Sequence, residues 1–157
     1  MLSFAAGAAS VGVDAFAQSV LLGMQLSAKH GESKGTIPDA QNACIQALTP
    51  SAFYNVVEKV MVSAFTPEEF AAINRFLSTS VGQKYLKLGL LRLYSSVGEK
   101  APEPLPDFSD SEYRELESFA ATSAGRALIT RQVMQSEAAR QAYNERIREL
   151  IKSCREK

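Results

Sequence analysis

One internal repeat constrains what this chain can fold into. Residues 65–87 and residues 108–130 align without gaps, and six of their 23 positions are identical. Repeats of this size are supersecondary units that a fold uses more than once. The repeat therefore predicts two related helical hairpins. The identical pairs are Phe65/Phe108, Glu69/Glu112, Phe76/Phe119, Thr79/Thr122, Ser80/Ser123 and Gly82/Gly125.

Each copy opens with a sequence typical of a helix start. Thr66 is predicted to be the N-cap, because its hydroxyl can accept a hydrogen bond from the amide of Glu69. The carboxylate of Glu69 can in turn accept one from the amide of Thr66. Phe65 and Phe70 flank this box as a hydrophobic staple. We expect a helix of about 12 residues to follow in each copy, which is roughly three turns. The second copy carries the same four positions as Phe108, Ser109, Glu112 and Tyr113.

A tight corner is predicted after each of these helices. Thr79 and Thr122 can each cap a new helix, and Gly82 and Gly125 share the same early position in it. Glycine inside a helix costs up to about 1 kcal/mol relative to alanine. Its repetition predicts that two backbone segments approach too closely at the corner for a Cβ atom. The alternative is that the first helical turn simply tolerates glycine.

The rest of the chain has helical rather than strand periodicity. Apolar residues recur three or four positions apart, and no segment alternates as a half-buried strand does. A chain of 157 residues has the size of one domain. We therefore expect a single all-α domain over 1–157, a bundle of six or seven helices. Besides the copies, helices are expected at about 10–29, 38–48, 49–64, 79–97 and 122–154, with an extended proline-rich connector at 99–107.

The predicted helix 79–97 has apolar residues around much of its circumference. Such a helix is usually surrounded by others, so we expect the two hairpins to pack around it as the central core helix. The alternative is that one apolar stripe lines a groove for a hydrophobic ligand, a partner helix or a second copy of the chain. The stripe that would do so is Leu86, Leu90, Leu93 and Val97.

The sequence lacks the residue patterns of common catalytic and metal sites. His30 is the only histidine, and its place at a predicted helix end favours a surface role. Hydrolytic triads need a nucleophile beside a histidine, and zinc sites need closely spaced cysteine and histidine ligands. Neither pattern is present, and no glycine-rich phosphate loop is found. We therefore expect no enzymatic activity, no catalytic residue, no metal ligand and no cofactor.

Charge and hydropathy argue against two further classes of protein. The 17 Lys and Arg residues balance 17 Asp and Glu residues, which does not favour nucleic-acid binding. No apolar run reaches the roughly 18 residues that a membrane-spanning helix needs. The partners that remain are another protein, a second copy of the chain or a hydrophobic ligand.

The first copy of the repeat resembles a known group of proteins. Phe-Thr-Pro-Glu-Glu-Phe at 65–70 and Phe-Leu-Ser-Thr-Ser-Val-Gly-Gln-Lys-Tyr at 76–85 resemble a bacterial family of uncharacterised exported proteins built on a domain of unknown function. That family has an aromatic pair, a small residue, Ser-Pro and then Gly-Gln or Gly-Arg at the corner; Ser80 and Ser123 stand where it often has proline. The resemblance implies an exported, all-α, envelope-associated protein with no assigned catalytic residues.

If the protein is exported, its two cysteines are expected to have a structural role. Cys44 and Cys154 form an even pair, which in an oxidising compartment is most simply a disulfide. In a cytoplasmic protein they would instead be two buried thiols. Ala15-Phe16-Ala17 has the form of a signal-peptidase site, but no Lys or Arg precedes it. We expect 1–17 to lie near a mature N-terminus, with a signal-peptide remnant as the alternative.

These observations lead to two functional expectations. The first is a non-enzymatic protein of the bacterial periplasm or cell envelope that acts through protein contacts or self-association. The second is a carrier for a lipid or another hydrophobic ligand held between helices. A closed apolar cavity would favour the carrier, whereas a dense core beside an exposed apolar stripe would favour the interaction protein.

Overall fold

The computed structural model describes residues 9–157, and within that range the chain is all-α with no strand. The prediction for the N-terminus covers 1–17, of which residues 1–8 lie outside the described range. The described residues form eight α-helices, where six or seven were expected. They are α1 (Val11–Ser33), α2 (Asp39–Gln46), α3 (Tyr54–Ala64), α4 (Pro67–Leu77), α5 (Ser80–Ser96), α6 (Asp110–Ala120), α7 (Ser123–Gly125) and α8 (Glu137–Arg155).

The central helix is α1. It packs against α2, α3, α4 and α5 and against a 3-10 turn at Pro50–Phe53. Its inward positions include Ala17 and Ala28, both buried, and such small side chains let neighbouring helices approach closely. Together with side chains from the other helices, α1 contributes to one contiguous cluster of buried apolar residues.

The expectation that helix 79–97 is central was wrong. α5 contacts α1, α4 and α6 but fully buries only Val81, Gly82 and Leu91. Lys84, Lys87 and Arg92 interrupt its apolar surface and keep much of the helix at the surface of the bundle. Among the described residues, no helix combines the length and the apolar character needed to cross a membrane.

The predicted helix starts at Thr66 and Ser109 are confirmed. The amide of Glu69 donates to the Thr66 hydroxyl (3.2 Å), and the Thr66 amide donates to the Glu69 carboxylate (3.0 Å). The same two hydrogen bonds join Ser109 and Glu112, at 3.2 and 2.9 Å. Both capping boxes are therefore complete.

The two corners have the same construction. The hydroxyl of Thr79 donates to the carbonyl of Phe76 (2.6 Å) and accepts from the amide of Gly82 (3.0 Å), so one side chain joins the end of α4 to the start of α5. A Cβ at Gly82 would overlap the carbonyl oxygen of Phe76 and lie 2.7 Å from the Cα of Leu77. The close approach predicted from the repeated glycine is therefore present at this corner.

The corner between α6 and α7 repeats each of these contacts. The hydroxyl of Thr122 donates to the carbonyl of Phe119 (2.6 Å) and accepts from the amide of Gly125 (3.0 Å). A Cβ at Gly125 would overlap the Phe119 carbonyl oxygen and lie 2.7 Å from the Cα of Ala120. No residue larger than glycine fits at either corner without moving backbone.

The C-terminal helix predicted at 122–154 is interrupted, and that prediction was wrong. After α7 the chain forms a π-helical turn at Arg126–Thr130 and a 3-10 turn at Val133–Gln135. Gln132 lies between them in the left-handed region, with a φ of 50°. α8 then restarts because the Ser136 hydroxyl accepts from the amide of Ala139 (3.2 Å), a second N-cap inside the predicted helix.

Two links hold the outer elements in place. A disulfide between Cys44 and Cys154 joins α2 to α8, across a separation of 110 residues, with the two Cα atoms 5.7 Å apart. The connector 99–107 is fixed to α5 instead by polar contacts. Lys84 Nζ donates to the carbonyl of Asp107 (2.7 Å), and Lys87 forms an ion pair with Glu103 (2.9 Å).

Candidate functional site

An open groove of about 720 Å³ follows the outer side of α1 and is bounded by α8, the end of α5 and α2; we call it the α1/α8 groove. Ser19, Gly23 and Ser27 lie along it at intervals of four residues, so they share one face of α1. Their side chains are small, and a Cβ added at Gly23 would meet no atom within 4 Å. The floor of the groove is therefore low and free of obstruction.

The walls of the α1/α8 groove are apolar. Val20 and Met24 contribute from α1, and Ile147 and Ile151 contribute from α8. Three of these four side chains are only half-buried, whereas Met24 is buried. The groove thus presents apolar surface that the fold itself leaves partly uncovered. The other apolar lining residues include Leu26, Ile37, Ile45, Leu93, Val97 and Tyr143.

The charged groups on the α1/α8 groove all have the same sign. Of the described residues that line it, Arg140 and Arg155 are the charged ones, and both are exposed. Neither forms an ion pair with another residue of 9–157. They are 15 positions apart on α8, which is about 22 Å along a helix. A ligand of this groove would meet positive charge near both of its ends.

The predicted stripe on α5 is divided between two grooves. Leu93 and Val97 line the α1/α8 groove, whereas Leu86 and Leu90 line a separate groove of about 600 Å³ beside the start of α1. The four residues are all half-buried. The structure therefore does not bring the four residues of the stripe into one site.

The smaller groove contains a closed polar cluster. The carboxylate of Asp14 accepts from the hydroxyl of Tyr54 (2.5 Å) and from the side-chain amide of Gln18 (2.6 Å). The hydrogen bond to Asp14 raises the pKa of Tyr54, with burial adding to the effect. Because these groups satisfy one another, the cluster fastens the start of α3 to α1 and offers little to a ligand.

A third groove, of about 870 Å³, lies between α3 and α8, and its lining is more polar than that of the α1/α8 groove. Asn55, Lys59 and Ser63 line it from α3. Its arginine is already engaged: Arg146 Nε donates to the carbonyl of Ala52 (2.9 Å), and the same guanidinium forms an ion pair with Glu149 (2.9 Å). Lys59 and Glu145 also line this groove, so its charged residues have both signs, whereas those of the α1/α8 groove are arginines.

The carboxylates of the repeat are structural caps. Glu69 is held by the backbone amide of Thr66 and by the hydroxyl of Ser123 (2.7 Å), and in that order these hydrogen bonds lower its pKa. The pKa of Glu112 is lowered by the amide of Ser109 and then by Lys84, whose ammonium lies 2.9 Å away. Both groups are engaged as ionised acceptors, a state suited to capping and not to donating a proton.

Two other ionisable groups sit apart from any such network. His30 lies in the last turn of α1, outside the lining of the α1/α8 groove, and its carbonyl accepts from the Ser33 hydroxyl (2.7 Å). Tyr143 forms part of the groove wall, and burial raises its pKa to about 12. Its hydroxyl donates to the carbonyl of Met134 (3.2 Å).

Within 9–157, no group of three or more His, Cys, Asp or Glu side chains is placed to hold a metal ion.

The most informative groove residues were not among the predicted site residues. Arg140 and Ile147, for example, both line the groove from α8. The signal was available in two spacings: small residues four apart on α1, and the series 140, 144, 147, 151 and 155 on one face of α8. Neither spacing shows which helices flank the groove.

Comparison with known proteins adds no assignment to this geometry. A scan against family models, a search of curated proteins and a search of solved structures each gave no significant match. The resemblance of the motif at 65–85 to a bacterial family of exported proteins therefore stays a prediction.

Proposed function

We propose that this chain is a non-enzymatic protein of the bacterial periplasm or cell envelope that acts by binding another protein. The observation that carries the proposal is the α1/α8 groove. It is open along α1, its walls are apolar and only half-buried, and its arginines have no ion-pair partner among the described residues. Interfaces characteristically combine an apolar centre with a polar or charged rim.

The disulfide supports the assignment of the compartment. Cys44 and Cys154 are bonded, and disulfides persist mainly in oxidising compartments such as the bacterial periplasm. Alkylation of acid-quenched cells before reduction tests this point. The proposal expects both thiols to be blocked from the alkylating reagent, and modification of both would instead support a cytoplasmic protein.

We also propose that 65–87 and 108–130 are two copies of one helical hairpin that pack on each other. The rings of Phe76 and Phe119, which occupy equivalent positions, stack with centroids 3.9 Å apart and planes at 4°. Each capping carboxylate is contacted by the other copy, through Ser123 on Glu69 and through Lys84 on Glu112. These contacts indicate a structural role for the two hairpins. The α1/α8 groove is therefore the proposed binding site.

A carrier of a hydrophobic ligand is the second candidate. Arginines beside apolar walls would suit an amphiphile with an anionic head group, such as a fatty acid. The openness of the groove favours a protein instead, because small-molecule sites usually enclose most of the ligand surface.

Photo-crosslinking in cells that make the protein distinguishes the candidates. A photoreactive amino acid at each of several exposed positions should yield a protein adduct at one or more of them. Native mass spectrometry of the purified protein provides the second measurement. A bound lipid without protein adducts would support the carrier, and a lipid-free monomer without adducts would contradict both candidates.

A further inference from the structure

We infer that the α1/α8 groove is the docking site for an amphipathic α-helix of a partner protein that carries acidic residues near both ends of its apolar face. This inference rests on the proposed function and specifies its site and partner. It follows from the shape, the walls and the charges of the groove.

The shape of the groove suits a helix. Ser19, Gly23 and Ser27 form a row along α1 in which no long side chain projects, and the hydroxyl of Ser19 turns back to the carbonyl of Ala15 (3.3 Å). Small residues at a contact let two helix axes approach closely. α1 would therefore receive a second helix along this row, as it receives its neighbours on its buried side.

The walls supply the apolar contacts that such a helix needs. Leu93 and Val97 line the groove from α5, and Ile147 and Ile151 line it from α8. All four are half-buried, so a bound side chain would remove further apolar surface from water. A docked helix would insert apolar residues spaced three and four positions apart.

The charges specify the ends of the partner helix. Arg140 and Arg155 are separated by about 22 Å, the length of a helix of about 15 residues. Acidic side chains at both ends of the partner would face them, and no carboxylate among the described lining residues competes. Exposed pairs of this kind add little affinity, but they fix the register of the bound helix and disfavour basic partners.

A pair of glycine substitutions tests the site without removing any contact of the fold. Gly23→Leu places a side chain in the groove, whereas Gly89→Leu places one on the exposed surface of α5, outside the lining of the groove. In both positions an added Cβ meets nothing within 4 Å. Both variants should therefore fold with undiminished melting temperatures, because leucine is a better helix former than glycine.

The probes are two fluorescent peptides of about 15 residues that share one leucine face and carry glutamates or lysines at both ends. Fluorescence anisotropy should show that the acidic peptide binds the wild-type protein about tenfold more tightly than the basic one, a difference of about 1.4 kcal/mol. Gly23→Leu should weaken this binding about tenfold or more, and Gly89→Leu should leave it unchanged. Arg140→Glu/Arg155→Glu should reverse the preference between the peptides.

Several results would overturn the inference. These are equal binding by wild type and Gly23→Leu, equal binding of both peptides, or no saturable binding of the acidic peptide. Binding of dansyl-undecanoic acid that Gly23→Leu abolishes, with no peptide binding, would assign the groove to an acyl ligand instead.

Photo-crosslinking separates this inference from the proposed function. A photoreactive residue at Ser27 reports on the α1/α8 groove, and one at Asn55 reports on the groove between α3 and α8. Protein adducts from Asn55 but not from Ser27 would overturn the inference and leave the proposed function standing. Absence of protein adducts from every tested position would overturn both.

Discussion

Glycine has opposite roles at the two helix corners and in the α1/α8 groove. At the corners, Gly82 and Gly125 lie against backbone that leaves no space for a Cβ, and the hydroxyls of Thr79 and Thr122 each donate to a carbonyl. In the groove, Gly23 faces open space, and Arg140 and Arg155 have no ion-pair partner among the described residues. The corners therefore stabilise the fold, whereas the groove is the site of the proposed binding.

The same contrast appears in how each region is held together. The corners are built from contacts within 65–87 and within 108–130, together with a few contacts between them. The groove depends on helices far apart in sequence, and the Cys44–Cys154 disulfide holds α2 and α8 together at one end of it. Local interactions build the first region, and a covalent long-range link secures the second.

Removing the disulfide should give the largest effect. Cys44→Ser/Cys154→Ser opens a loop of 110 residues, and on the chain-entropy model its loss costs about 5 kcal/mol of unfolding free energy. Urea unfolding measures this value, and hydrogen exchange should accelerate in α2 and α8 more than in 65–87. Ser153→Ala, beside the bridge and exposed, serves as the control and should change little. Unchanged unfolding free energy in the double variant would contradict the prediction.

Alanine at the glycines tests the comparison directly. Gly82→Ala and Gly125→Ala should each destabilise the protein by about 3 kcal/mol, since the new Cβ meets backbone atoms that cannot turn aside. Gly23→Ala and Gly89→Ala should instead stabilise it by up to about 1 kcal/mol, because alanine is the better helix former. Thermal unfolding of the four variants measures both signs. Equal effects in the two pairs would show that the corners are not close-packed.

The sequence predicted the features that short segments determine. Thr66 with Glu69, and Ser109 with Glu112, each satisfy a helix start within four residues, so no tertiary information is needed. The close approach at Gly82 was predictable for a related reason, because its closest backbone neighbours are only five and six positions earlier in the chain.

Features that depend on tertiary packing were not predictable in the same way. Helix 79–97 was expected at the centre because of its composition, but the small side chains of α1 let α1 take that place. Ser136 matches a helix start as well as a position within a helix, and the interruption before α8 follows from its capping bond. The groove needs α1, α5 and α8 together, and no single segment reveals that arrangement.

Removing a corner hydroxyl should have a smaller effect than adding a Cβ. Thr79→Ala and Thr122→Ala each delete a side chain that caps one helix and donates to the end of the preceding one. Each should lower the unfolding free energy by about 1 kcal/mol, the usual value of an N-cap. Thr79→Ser retains the hydroxyl and should recover most of the loss. A similar loss in Thr79→Ser would assign the effect to the methyl group instead.

Acid should produce the smallest effect, and it should act on the corners. The folded-state pKa values of Glu69 and Glu112 are lowered, first by their backbone hydrogen bonds. Their contribution to stability is therefore complete above the ordinary carboxyl pKa of 4.5 and is lost as the pH falls through the lower folded values. Other carboxylates titrate in the same range, so the measurement must isolate these two.

A comparison of two double variants isolates them. Melting temperatures are measured by circular dichroism from about pH 7 to about pH 3, a range that spans carboxyl titration. Glu69→Gln/Glu112→Gln should be less stable than wild type near pH 7, and its melting temperature should fall less on acidification because the ionised caps are already absent. Glu68→Gln/Glu115→Gln changes exposed carboxylates on the same two helices, outside the capping boxes, and should follow the wild-type curve. If both double variants follow wild type at every pH, the caps contribute through geometry alone, and the contrast between corners and groove owes nothing to the charge of these carboxylates.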